Sequence, residues 1–170
     1  MAIPRPRSPL IAVDTNVPLD FADGKEHALD ALEVVRRRLK PGRILVTPTV
    51  FQELAFLARE SDAPAEREQA NRALRGLANW GLELVNLVPV GHGIVGRIAD
   101  KLQAAELLPA EEYNDGLILA EAALLNCAIL LTSDAHLRGL DFQRVTLELR
   151  SSDVEMPIIA TPREIVAKFC

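Results

Sequence analysis

Cysteine is scarce in this chain: Cys127 lies inside the apolar run LLNCAILL, and Cys170 is the last residue. Two thiols so placed supply neither a disulfide framework nor a metal-ligand spacing, which suits a reducing cytosol and casts Cys127 as a core residue. Aromatic residues make up only 4% of the chain, too few for a broad base-stacking platform. No apolar run is long enough for a membrane helix, since the longest, GLILAEAALLNCAILL, is broken by Glu121 and Asn126. The opening MAIPRPRSPL carries basic residues, but the apolar stretch after it is cut by Asp14, so the hydrophobic span of a signal peptide is missing. These absences lead to the expectation of a soluble, cytoplasmic protein with no membrane partner. A basic excess is lacking too. The formal charge of −5 repels a polyanion at long range, so a nucleic-acid partner has to be held by local basic patches or by bound cations. Neither a Gly/Ser linker nor a repeat period divides the 170 residues, and one domain over 1–170 is expected.

What the chain does have is apolar material, 49% of its residues, enough to bury a substantial core. Short β-type runs alternate with longer helical patterns, as in a parallel sheet covered by helices. LIAV and RILV read as the first two strands. Between them EHALDALEVVRRRL repeats its apolar positions with helical period, as a crossover helix does. Thr47 and Pro48 read as N-cap and first residue of a helix through TVFQELAFLA. The polar stretch RESDAPAEREQANR precedes a helix carrying Leu74, Leu77 and Trp80, and LELVNLV offers a third strand. Helices through GIVGRIADKLQAAELL and EEYNDGLILAEAALL lead to a strand at AILLT. VTLEL and PIIA carry weaker strand signals before a closing helix, TPREIVAKF.

The acids are placed unusually. Ligands of open α/β sheets collect at the carboxyl ends of the strands, and Asp14 and Asp134 each lie just past such an end. Glu53 shares a helix face with Val50, Leu54 and Leu57, while Asp115 has Ile118 and Leu119 as helical neighbours. A carboxylate in apolar surroundings is costly to desolvate unless something compensates it. Two unit charges about 4 Å apart repel by roughly 4 kcal/mol at an effective dielectric near 20, so four clustered carboxylates call for protons or cations. Acid/base work on a sugar ranks low, because the acids are spread over four elements and no carbohydrate groove is marked. A hard cation fits better: oxygen donors without Cys or His at ligand spacing favour Mg²⁺ or Mn²⁺ over zinc.

Asp14 in VDTNV, Glu53 in TPTVFQEL, Asp115 in YNDGLILAEA and Asp134 in LLTSDAHL resemble, in order, the four acidic motifs of the PIN-domain family. The resemblance implies an α/β, PIN-like three-layer fold whose central, mostly parallel sheet is flanked by helices. Its motif-bearing core would span about 10–140, with a strand and helix extension over 141–170. It further implies a metal-dependent endoribonuclease in which Asp14, Glu53, Asp115 and Asp134 bind one or two Mg²⁺ or Mn²⁺ ions. A metal-activated water would then attack the RNA phosphodiester, with no ribose hydroxyl as nucleophile. Asn16, Thr132 and Ser133 match neighbouring polar positions that orient a carboxylate or a water. By the same resemblance to VapC-type toxins, an antitoxin protein is the expected partner besides RNA, and a homodimer the expected assembly. The segment between Arg59 and Trp80 is longer and more polar than in a minimal toxin of this kind, and the tail after Phe142 matches no motif. A PIN-like module that binds RNA or protein without catalysis is the alternative.

Blander roles compete for each residue. Asp14 reads as a turn or cap residue, Glu53 as a surface glutamate and Asp134 as a cap on the AHLRGL helix. Glu121 is expected to face solvent, and Asp20 and Asp141 to be surface caps or turn residues. His27, His92 and His136 show no metal spacing, and His136 is expected at the surface. Asn114 could aid Asp115, with Glu112 one turn upstream. The run Arg36, Arg37, Arg38, Lys40 and Arg43 reads as a solvated helix end ahead of an RNA contact.

Overall fold

The computed structural model describes residues 8–87 and 89–170, the side chains of 89–92 excepted. Five strands, β1 (Leu10–Val13), β2 (Arg43–Val46), β3 (Leu82–Leu84), β4 (Ile129–Leu131) and β5 (Ile158–Ala160), form one sheet in the order β3-β2-β1-β4-β5. Every pairing in it is parallel, and the registers Val13↔Val46, Val13↔Leu131, Val46↔Leu84 and Leu131↔Ala160 align the carboxyl ends along one edge. Successive residues of a strand point to opposite faces. Ile11, Ala12 and Val13 are nonetheless all buried, as are Ile44, Leu45 and Val46, so helices cover both faces and the three-layer α/β architecture follows. Strand order runs outward from β1 to β3, then returns to the other side of β1 for β4 and β5. The order in which strands are added reverses between β1 and β4, the switch point where α/β sheets open a crevice.

Helix α1 (Asn16–Ala22) follows β1 after two residues. Its short pattern, with Pro18 inside, escapes a periodicity reading, but Val17 and Phe21 lie one turn apart and both are buried. The expected surface position of Asp20 is overturned. It is 7% exposed on α1, paired with Lys25 Nζ at 2.5 Å. Helix α2 (Glu26–Val34) widens into a π turn over Val35–Leu39 and ends at Lys40 in the left-handed region, φ 46°. The basic run is largely paired there: Arg36 donates to the Trp80 carbonyl, Arg37 meets Glu33 at 2.5 Å and Arg43 meets Glu83 at 2.5 Å. Arg43 opens β2, so the run borders the amino edge of the sheet, opposite the acids.

Helix α3 (Pro48–Glu60) starts where Thr47 and Pro48 place it, but the Thr47 hydroxyl is buried without a hydrogen-bond partner. Its cap comes from afar. Both carboxylate oxygens of Glu121 accept from the Thr49 N–H at 3.2 Å, and Oε1 also accepts from Thr49 Oγ1 at 2.7 Å. Glu121 is therefore 4% exposed, not solvent-facing. An acid in the apolar face of one helix neutralises the positive end of another. Helix α4 (Pro64–Gly76) starts inside the polar stretch, earlier than its apolar residues indicate, and buries Ala70 and Ala73. Trp80 beyond it packs edge-on against Phe21 at 5.3 Å between ring centroids.

Helices α5 (Pro89–Ala104) and α6 (Tyr113–Leu124) pack together and lead into β4. Helix α7 (Ala135–Arg138) follows β4, then α8 (Phe142–Arg150), β5 and α9 (Pro162–Phe169). The strand expectation for VTLEL fails, because the segment lies in α8. Its two-residue alternation would bury Val145, Leu147 and Leu149 together, whereas Val145 and Leu149 are fully buried and Leu147 is 68% exposed. That four-residue spacing is helical, and Asp141 caps the helix by accepting from the Arg144 N–H at 3.1 Å. Helix α9 carries a complete capping box between Thr161 and Glu164 and packs on α2. Among the described residues no helix is long and apolar enough to cross a membrane.

Candidate metal centre

The carboxyl edge of β1 and β4 is where the sequence-predicted acids meet. The Asp14 N–H continues the ladder past β1 by donating to the Leu131 carbonyl at 2.9 Å, and the Thr132 N–H does the same to Ala160 at 3.0 Å. These two bonds hold Asp14 and Thr132 side by side. Thr132 Oγ1 donates to Asp14 Oδ2 at 2.6 Å and accepts from the Asp134 N–H at 2.9 Å, joining the first acid to the fourth. Asn16 Nδ2 donates to the same Oδ2 at 2.9 Å, while Oδ1 accepts from the Thr15 N–H at 2.7 Å. Asn16 Oδ1 in turn accepts from the Ser133 N–H at 2.9 Å. Asn16 and Thr132 thus both donate to the Asp14 carboxylate. Ser133 joins the network through its backbone.

Glu53 reaches the cluster from α3, where Thr15 Oγ1 donates to Oε2 and Asn114 Nδ2 donates to Oε1 at 2.9 Å. Asn114 therefore supports Glu53, not Asp115. Asp115 stands in the first turn of α6, 9% exposed, and its Oδ2 is buried without a hydrogen-bond partner. Asp134 does cap α7, its Oδ1 accepting from the N–H groups of His136 at 2.7 Å and Leu137 at 3.1 Å. The cap pins the carboxylate at the mouth of the crevice, and among the described residues Oδ2 makes no hydrogen bond.

Electrostatics tie the acids into one unit. Burial pushes the Asp14 carboxyl up to about 6, against the hydrogen bonds from Thr132 and Thr15, with the charges of Glu53 and Asp134 adding to the rise. Asp115 is pushed up to about 8, first by burial, then by the charges of Asp14, Asp134 and Glu112, and by a hydrogen bond with the Glu112 side chain that favours the protonated form. Carboxyls driven this far are short of positive charge, and the unpartnered Asp115 Oδ2 is an oxygen lone pair facing no donor. A donor set of carboxylates and hydroxyls fits a hard divalent cation.

Two residues outside the expected set lie against these acids. His136 Nδ1 is 3.1 Å from Glu112 Oε1 and 3.8 Å from Asp134 Oδ1. His136 is exposed, as expected, yet it offers a ligand atom within 4.8 Å of those of Glu112 and Asp115. Linear spacing hides this, because His136 is 24 and 21 positions away from them; the signal was its place two residues after Asp134. The side chain of His92 lies outside the described residues.

A family model, described as the PIN domain, matches residues 11–143. The chain belongs to the PIN-domain family. Among solved structures this PIN fold is similar to VapBC2 from Rickettsia felis, crystallised bound to a DNA fragment from their promoter, with a TM-score of 0.61. That match has 17% identity and covers 89% of this chain and 98% of the other. VapBC-1 from nontypeable Haemophilus influenzae gives a TM-score of 0.58 at 22% identity, covering 90% of this PIN chain and 98% of that one. No curated protein matches.

Proposed function

We propose that this PIN-domain protein is a metal-dependent endoribonuclease whose site is Asp14, Glu53, Asp115 and Asp134. One observation carries the reading: Asp115, 9% exposed, keeps an oxygen with no donor while Asp14 and Asp134 press on its charge and Glu53 and Asp134 press on that of Asp14. These side chains would hold one or two Mg²⁺ or Mn²⁺ ions. When bound, such an ion supplies Lewis acidity, ionising a water at neutral pH and offsetting the charge that builds on a phosphate during in-line displacement. The chain's own contribution is alignment. Thr132, Asn16 and the Thr15 N–H fix both oxygens of Asp14, while Thr15 Oγ1 and Asn114 fix Glu53. Preset ligands need no reorganisation when substrate arrives. With the basic run at the far edge of the sheet, RNA is held chiefly through the cations and read by shape and loop structure.

Membership of the PIN family, together with the VapBC neighbours, supports a toxin role in the cytoplasm with a protein antitoxin and a homodimeric assembly. Beside Glu53 opens a groove of about 520 Å³ lined by Thr15, Gln52, Phe56, Leu57 and Leu117 among others. Phe56 is 62% exposed there, and an apolar wall beside the acids also favours the second reading, a PIN-like module that binds RNA or protein. Cleavage separates the two. Purified protein with Mn²⁺ or Mg²⁺ is expected to cut structured RNA and Asp14→Asn to abolish cutting; equal cleavage by both would remove the assignment. Expression should slow growth and a neighbouring antitoxin gene should relieve it.

A further inference from the structure

Glu121 is a carboxylate, 4% exposed, that the metal centre does not use. We propose that it is a positioning residue: by fastening α6 to the start of α3 it sets where Glu53 stands relative to Asp115. The proposal rests on the metal-centre reading above, in which both acids are ligands.

Helix stability alone does not call for such a contact. Thr47, at the N-cap of α3, carries the hydroxyl that ordinarily serves an N–H of the first turn, yet it makes no cap bond. The N–H and hydroxyl of Thr49 are served instead from α6, by a carboxylate that is costly to bury unless its oxygens are engaged. A local cap stabilises α3 wherever the helix lies. A cap carried by α6 holds it in one place.

That place matters to the acids. Thr49 and Glu53 are four residues apart in α3, and Asn114 and Glu121 seven apart in α6, spacings that put each pair on one stripe of its helix. The two helices are accordingly joined twice, by Thr49 donating to Glu121 and by Asn114 Nδ2 donating to Glu53 Oε1 at 2.9 Å. The joints lie about 6 Å apart along α3 and about 10 Å apart along α6, so together they fix the crossing angle as well as the separation. Asn114 precedes Asp115 in the chain, and any shift of α3 against α6 therefore moves Glu53 against Asp115. A ligand set functions when held within about 0.5 Å of its productive geometry, which gives the second joint a role beyond capping.

The experiment compares the full chain with Glu121→Gln and with the milder Thr49→Val by two readouts. In metal-free, ¹⁵N-labelled protein the side-chain amide resonance of Asn114, assigned by its loss in Asn114→Ala, reports the bond to Glu53. Calorimetry gives the affinity for Mn²⁺. Both variants are expected to move the Asn114 resonance toward that of a solvated amide, and Glu121→Gln to weaken Mn²⁺ binding by about tenfold, the lower end for a group that supports a metal ligand. Thr49→Ser, which keeps the hydroxyl, should retain the wild-type values. The Mn²⁺ loss should vanish in a Glu53→Gln background, because Glu121 acts through Glu53. A merely structural role lowers stability in urea and leaves the Asn114 resonance where it was. That result overturns the proposal, as does an unchanged Mn²⁺ affinity in Glu121→Gln where Glu53→Gln lowers it, or an equal loss with and without Glu53. If Glu53→Gln binds Mn²⁺ as wild type does while the Asn114 resonance still moves in Glu121→Gln, the four-acid reading falls and the positioning role stands.

Discussion

Metal-free protein should lose stability as pH rises through the weakly acidic range, with Asp14 as a main cause. Its carboxyl is held at about 6 against an ordinary 3.8 by burial. Over that interval the folded chain keeps a proton that the unfolded chain has released. The stabilisation is therefore complete below pH 3.8 and is lost as pH climbs through about 6. A shift of about 2 units amounts to about 3 kcal/mol, large beside a typical stability of about 5–15 kcal/mol. The lower part of the window is confounded by Glu164, which the Arg138 hydrogen bond holds at about 2, so its contribution fades as pH falls below 4.5. Between about pH 5 and about pH 6 Glu164 is nearly constant and Asp14 supplies a slope of about −1 kcal/mol per pH unit. Urea unfolding in EDTA at several pH values, wild type against Asp14→Asn, isolates that slope. Asparagine cannot serve all three donors to Asp14, so absolute stability changes, but the slope difference does not depend on that offset. Equal slopes in the two proteins would refute the reasoning. Saturating Mn²⁺ should reverse the sign, because the ion binds the ionised acids.

Three further outcomes are expected. Asp115→Asn should raise the unfolding free energy of metal-free protein in urea near neutral pH, by on the order of 2 kcal/mol, and should lose the stabilisation that Mn²⁺ gives wild type. Glu121→Ala strips the cap from α3 and leaves the Thr49 N–H buried, costing about 2 kcal/mol or more in urea unfolding. Iodoacetamide at neutral pH should label the exposed Cys170 of native protein and spare Cys127, whose thiol burial pushes up to about 11; mass spectrometry of the native adduct checks this.

The order of strands and helices was legible wherever apolar period and flanking punctuation agreed. LIAV and RILV became strands with the expected bounds, PIIA became a strand without its proline, and TPREIVAKF became a capped helix. The VTLEL segment misled because its alternation satisfies two periods at once; packing chose the helical one by burying Val145 and Leu149 and leaving Leu147 outside. Helix α1 was illegible for a related reason, being too short for a period and held by burial of Val17 and Phe21 and by the rings of Phe21 and Trp80.

By itself the sequence determined which acids stand at strand ends and on apolar helix faces, since both are local properties of order and period. Only the tertiary structure decided who faces whom. Glu121 turned from a surface residue into the cap of a helix 72 positions away, Asn114 served Glu53 instead of Asp115, and His136 came to rest against Glu112. Each is a contact between segments distant in the chain, and its geometry is set by how the helices pack on a parallel sheet whose order of strand addition switches between β1 and β4. Side-chain chemistry is written residue by residue, but a charge finds its partner only once the chain has closed around it.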